Sequence, residues 1–154
     1  MPRRPREFVD GGIYHVFSRG NDRRKIFLEK EDFHCFLNMT HCALEVASKL
    51  KSKFANLGVI DLYSLPINEK PFLNEIRGAG KIITLEEHTL PGGFGSAVCE
   101  LLSDNNLHIP LKRMGLDLSK GYCYKYGGRK NIQSIFGLDA ENVASSVSEF
   151  LGKK

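Results

Sequence analysis

Two adjacent segments hold residue types from which a site could be built. The first is Glu86-Glu87-His88, at the end of an apolar run that begins at Lys81 and reads as a strand. A carboxylate beside an imidazole can move protons, and α/β proteins assemble their sites at strand ends. The second is Pro91-Gly92-Gly93-Phe94-Gly95-Ser96, between that strand and a helical pattern. Backbone N–H groups at a helix N-terminus can face a phosphate. The same glycines also suit a tight turn and close packing of helix on sheet, where a Cβ would intrude. No lysine follows in the P-loop manner and the G-x-G-x-x-G spacing is not met, so packing is the expected use. Nothing near Glu87 and His88 in sequence supplies a nucleophile or a metal set, so an interface or structural role is expected for them. The candidate anion-binding or interface loop is therefore Glu87, His88, Gly92, Gly93, Gly95 and Ser96, with no catalytic residue assigned.

A second group of candidates is basic. Arg3, Arg4, Arg6, Arg19, Arg23 and Arg24 could contact nucleic-acid phosphates, which would give weak, salt-dependent binding. Acidic residues are interleaved with them and the whole chain carries a formal charge of only +4, so a solvated polar surface is the plainer expectation. Tyr122, Tyr124, Lys125, Tyr126 and Arg129 mix rings with cations and could stack on bases, but a packed loop ahead of a helix explains them as well. Cys35, Cys42, Cys99 and Cys123 contain no C-x-x-C pair. Cys35 and Cys42 are two helical turns apart, roughly 10 Å, as are His34 and His41, which is too far to share one ion. No metal site is expected. The N-terminus has no apolar core of an export signal, so the cysteines are expected to be reduced thiols of a cytoplasmic protein. No apolar run is long enough to cross a membrane.

The elements that would position these residues follow from periodicity. Ile13–Phe17 is β-branched and aromatic and reads as a strand, with 26–28 a second short one. Phe33, Phe36, Leu37, Thr40, Leu44, Ala47, Leu50 and Phe54 recur every three or four residues, which predicts an amphipathic helix stopping near Asn56–Gly58. Strands are predicted near 58–63, 81–86 and 109–114, and helices over 69–76, 94–105, 130–136 and from Asp139 to about Leu151. Alternating strands and helices predict a parallel sheet covered by helices.

The segments VIDLYSLPINEKP, KIITLEEHTLPGGFGSAVCELL, IPLKRMGLD, YGGR and FGLDAENVASSVSEFL, in that order, resemble the transketolase C-terminal domain family. That family takes in transketolase subunits, deoxyxylulose phosphate synthase and the beta subunits of 2-oxoacid dehydrogenases. The resemblance spans residues 41–154 and implies a three-layer α/β/α fold with a mostly parallel sheet. Residues 1–37, through YHVFSRGNDRRKIF, resemble instead the start of REP-associated tyrosine transposases, which makes the chain look chimeric. In the transketolase-type domain a strand with a Thr-Gly ending precedes the helix that here reads ALEVASKLKSK. The transposase-like piece stands in its place, so one internal strand is expected to be missing, with Ile13–Phe17 the nearest β-prone replacement.

Both resemblances imply enzymes whose chemistry this chain lacks. The transketolase type binds thiamine diphosphate and Mg²⁺ through a Gly-Asp-Gly segment with a later Asn and through a pyrimidine-binding domain with its Glu. Neither occurs here. The transposase type uses a His-hydrophobe-His pair, and His15, His34, His41, His88 and His108 form none. The expectation is a noncatalytic domain or fragment that binds no cofactor alone and serves subunit contacts or regulation. It would dock on a separate thiamine diphosphate-binding chain or on a copy of itself. A fusion product without selected function, or weak nucleic-acid binding through the basic N-terminus, are the alternatives.

Overall fold

A computed structural model describes residues 30–62, 66–121, 123–124 and 127–152, with side chains from Met39 onward except that of Lys120. In chain order the elements are α1 (Lys30–Leu50), α2 (Glu69–Ile76), β1 (Ile82–Thr89), α3 (Phe94–Asp104), β2 (Leu111–Leu116), a 3₁₀ turn at Leu118–Lys120, α4 (Gly128–Phe136) and α5 (Ala140–Gly152).

Helix α1 forms, but its core-facing stripe is turned around the helix from the expected one. Met39, Cys42, Val46 and Leu50, at spacings of three and four, enter one core. Of the expected residues with described side chains only Leu50 is among them, Thr40, Leu44 and Ala47 being half-buried outside that cluster. It ends earlier than the pattern predicts. The Leu50 carbonyl accepts from both Lys53 N and Phe54 N, each at 2.9 Å, so the chain turns as soon as the exposed Lys51-Ser52-Lys53 run begins. Those three polar residues have no core to face, and the stripe cannot carry the helix past them.

Strands β1 and β2 pair in parallel, Ile82 opposite Leu111 and Leu85 opposite Met114. Strand alternation sends successive side chains to opposite layers. Ile83, Leu85, Met114 and Leu116 join Cys42, Val46, Leu138, Val143 and Val147 on the side of α1 and α5. Ile82 and Leu111 join Phe72, Ile76, Val98, Leu101 and Leu102 on the side of α2 and α3. Two apolar clusters, one on each face of the sheet, make the three-layer α/β/α arrangement that the sequence predicts. Their removal from water is the main stabilising term, at roughly 25 cal/mol per Å².

The expected strand over 58–63 is not formed: residues 57–62 carry no strand, and the described sheet consists of β1 and β2 alone. An apolar run becomes a strand only where a neighbour accepts its ladder, and none of the described strands does so here. The predicted strands at Ile13–Phe17 and 26–28 lie outside the described residues.

Helix α5 is fixed at both ends. Asp139 caps it, Oδ1 accepting from Asn142 N at 3.1 Å and Oδ2 from Asn142 Nδ2 at 2.6 Å. These bonds hold the Asp139 carboxyl below the usual carboxylate range. At the other end Lys81 Nζ donates to Phe150 O at 2.9 Å and to Leu151 O at 3.4 Å. Lys112 Nζ donates to Ser146 O at 3.2 Å. Lys81, just ahead of β1, thus supplies a cation for a helix C-terminus whose own last turn has none, while Lys112 of β2 reaches a carbonyl in the middle of α5.

Candidate functional site

The carboxyl ends of β1 and β2, the loop 90–93 and the start of α3 form one cluster of polar groups. Period-two alternation turns Thr84 and Glu86 toward α3, and both are buried. Glu86 Oε2 accepts from Phe94 N at 2.6 Å and Oε1 from Gly95 N at 2.9 Å. A buried carboxylate thus fills the position where a helix N-terminus would bind an external anion. The glycines allow this approach. A Cβ on Gly95 would stand 2.6 Å from Thr84 Oγ1 and 2.9 Å from Glu86 Oε1, and one on Gly93 would meet the Glu86 carboxylate and the Thr89 carbonyl. Packing therefore accounts for both glycines.

Ser96 organises the loop above. Its hydroxyl donates to Leu90 O at 2.9 Å and accepts from Gly92 N at 3.2 Å and from Arg113 Nη1 at 2.9 Å. Arg113 Nη1 also reaches Leu90 O at 3.1 Å, so β2 and α3 together hold the strand-to-helix turn. Gly92 adopts a φ of +71°, the left-handed conformation that completes it.

Glu87 and His88 fall on different errands. Glu87 faces α4: Oε1 accepts from Arg129 Nε at 2.8 Å and Gln133 Nε2 at 2.5 Å, and Oε2 pairs with Arg129 Nη2 at 2.5 Å. His88 is exposed, with Nδ1 3.2 Å from both Thr89 O and Thr89 Oγ1. Among the described residues, then, the three-residue run splits into an internal anion, an interelement ion pair and an exposed imidazole. Tyr124 is 83% exposed and Cys123 half-buried, while Tyr122, Lys125, Tyr126 and the six N-terminal arginines lie outside the described residues. Cys42 is buried, its Sγ–H directed at Leu138 O at 3.8 Å, and burial pushes its thiol up to about 11.

This arrangement, a glycine turn closed by a strand carboxylate within an α/β/α domain, coincides with the sequence segment that matches a known family. The profile described as "Transketolase, C-terminal domain" matches residues 36–143. The chain belongs to the transketolase C-terminal domain family. Relatives include the 1-deoxy-D-xylulose-5-phosphate synthase of Syntrophotalea carbinolica, 34% identical over 71% of this chain and 17% of the relative. The corresponding synthase of Shouchella clausii is 31% identical over 93% of this chain and 21% of the relative, so that similarity runs into the residues ahead of α1. Among solved structures, "Split gene transketolase, inactive beta4 tetramer" superposes with a TM-score of 0.62 at 27% identity, over 91% of this chain and 39% of the other. The chain spans about a sixth of the length of the synthases it matches.

The transketolase-type cofactor does not fit the residues described. The N-terminus of α3, which faces the strand ends, is filled by Glu86, and no three His, Cys, Asp or Glu side chains converge as metal ligands among the described residues. Sequence reasoning placed Glu86 beside its neighbours as an acid–base candidate and missed its use as the internal anion of α3. The signal was available: Glu86 shares the period-two face of Ile82 and Thr84, and a carboxylate on an inward face must find donors.

Proposed function

We propose that this transketolase-type domain serves subunit contacts and carries out no chemistry alone. The observation that carries the reading is the Glu86 carboxylate on the N-terminus of α3, which fills the domain's own anion position with a protein side chain. Glu87 is likewise engaged by Arg129 and Gln133. What remains at the strand ends is a surface whose two carboxylates are already engaged by the protein, suited to assembly rather than to turnover. The likeness to a chain described as forming an inactive beta4 tetramer supports a domain that associates apart from a catalytic partner. The partner would be a thiamine diphosphate-binding chain carrying the Gly-Asp-Gly segment, or a second copy of this chain.

Turnover tests the first half of this reading. The isolated chain, given thiamine diphosphate and Mg²⁺, should form no product from xylulose and ribose phosphates above a blank; product would refute it. Sedimentation of the chain alone and mixed with a Gly-Asp-Gly chain from the same genome tests the second half. A strictly monomeric species in both samples would remove the assembly role.

A further inference from the structure

We propose that α4 is a self-docking face, on which a second copy of this chain lays its own α4 antiparallel, each Ile132 against the partner's Ile135. The inference rests on the assembly role proposed above and names the surface that carries it. One side of α4 is spoken for: Arg129 and Gln133 bond Glu87, and Phe136 packs against the core at the last turn. At 100° per residue, Ile132 and Ile135 stand about 100° around the helix from that side. They are 37% and 42% exposed, and among the described residues α4 is the one helix without a buried side chain. A single exposed isoleucine is ordinary. Two at a spacing of three make one apolar side of a helix, at positions where a polar residue would serve the fold of this domain equally well.

Charge names the occupant. The first turn of α4 holds Arg129 and Lys130 and no acid, which adds to the positive end of the helix dipole. The last turn holds no base, and Asp139 and Glu141 follow within five residues of Phe136. Side chains usually oppose a helix dipole; here they reinforce it. Arg129 is engaged by Glu87, so Lys130 is the cation left over: it is exposed and pairs with no acid among the described residues. An antiparallel copy supplies the missing balance, setting the basic end of each helix beside the acidic end of the other. A two-fold axis across the helix gives that arrangement and makes the apolar side complementary to itself. Packed helices lie about 8–10 Å apart, within a screening length of roughly 10 Å, so the end charges are still felt. The face is small. Nine residues make a helix about 14 Å long, short of the roughly 800 Å² per partner of a standard complex. The association is therefore weak, with a dissociation constant on the order of 100 µM.

Sedimentation and NMR of the full chain, from roughly 20 µM to about 1 mM, test the face. The unmodified chain should pass from monomer to dimer over that range. The Ile132 and Ile135 amides should shift with concentration, while those of Cys99 and Glu100, exposed on α3, stay in place. Ile135→Asp should raise the dissociation constant at least about tenfold. Ser134→Asp, on the far side of the helix, should leave it unchanged. Lys130→Glu should weaken association about two- to threefold, and adding Glu141→Lys should restore it. Should Ile135→Asp unfold, the concentration-dependent shifts of the unmodified chain decide the question by themselves. The proposal is overturned if the chain associates without shifts at Ile132 and Ile135, if Ile135→Asp associates as tightly as the unmodified chain, or if the charge swap restores nothing. In those cases the assembly role stands on another surface. A chain that stays monomeric to about 1 mM also overturns it. Binding to a Gly-Asp-Gly chain under the same conditions would then leave the assembly role intact.

Discussion

Glu86 and Gly95 are fitted to each other: the carboxylate accepts the Gly95 N–H at 2.9 Å, and a Cβ on Gly95 would stand 2.9 Å from the same oxygen. The contact locks β1 to the first turn of α3. Gly95→Ala gains roughly 1 kcal/mol of helix propensity but must displace Thr84, Glu86 and the Arg113 side chain. Overpacking of this kind costs about 1–3 kcal/mol. The expected result is a net loss of stability in urea unfolding, with Gly58→Ala, which meets nothing within 4 Å, as the neutral comparison. A stabilised Gly95→Ala would contradict this packing account.

Replacing the carboxylate is the complementary change. Glu86→Gln keeps one acceptor oxygen for two backbone donors and sets an amide N–H₂ against the other. The loss of a charge-assisted bond and the orphaned N–H should together cost about 2–3 kcal/mol. The midpoint of chemical unfolding should fall accordingly. If Glu86→Gln retains full stability, the carboxylate is not what secures α3.

Asp61 predicts a pH dependence. It is buried, and desolvation raises its carboxyl from an ordinary 3.8 to about 7. The folded chain then binds a proton more tightly than the unfolded chain. Its contribution is fully present below pH ~4, declines as pH rises, and is lost by about pH 7. The whole span is worth at most about 4 kcal/mol. Asp61→Asn should remove this slope, raising the melting temperature at pH 7.5 and shifting it much less at pH 4.5. An equal shift at both pH values would show that burial of the charge is not the cause.

Much of this architecture is legible in the sequence because it depends on local pattern. The α2 and α3 stripes, the Asp139 cap and the glycine turn all follow from residues within one or two turns of each other. Residues 57–62 were not legible in that way. Their apolar run has the composition of a strand, but a strand is a relation to a neighbour, and composition cannot report whether the neighbour is there. The same holds for Lys81 and Lys112. Nothing local marks them as partners of Phe150 and Ser146, some 70 and 34 residues away, since their bonds depend on how α5 crosses the sheet. In the site, a turn signal marks Gly93 and Gly95 in the sequence and a Cβ on either would meet Glu86, whereas the roles of Glu86 and Glu87 depend on which helix each faces.

Lys81 offers a direct test of that long-range cap. Lys81→Met keeps the apolar stem and deletes the bonds to Phe150 O and Leu151 O. The cost should be about 0.5–2 kcal/mol, reported as a lower melting temperature and as faster exchange in the last turn of α5. Fraying confined to that turn is expected, because Asp139 still holds the other end. Unchanged exchange there would remove Lys81 from the account of α5.

The last prediction concerns how α4 is attached. No residue of α4 is buried, and Ile132 and Ile135 are exposed. Its described tie to β1 is polar: Glu87 held by Arg129 and Gln133. Both charged side chains of the pair are 28% exposed, so solvent weakens the attraction, and its advantage over an ordinary surface pair is the two-pronged geometry. Arg129→Lys keeps the charge and loses the fork. A double-mutant cycle of Arg129→Lys with Glu87→Gln should give a coupling of about 1 kcal/mol. Because α4 contributes little to either core, the effect should appear first as local opening: amides of Gly128–Phe136 should exchange faster in each variant while those of α3 keep their rates. High salt should act in the same direction in the unmodified chain and have less effect in the variants. If α4 exchange is the same in all four proteins, the pair does not attach the helix, and Phe136, packed against the core at its last turn, is what holds it.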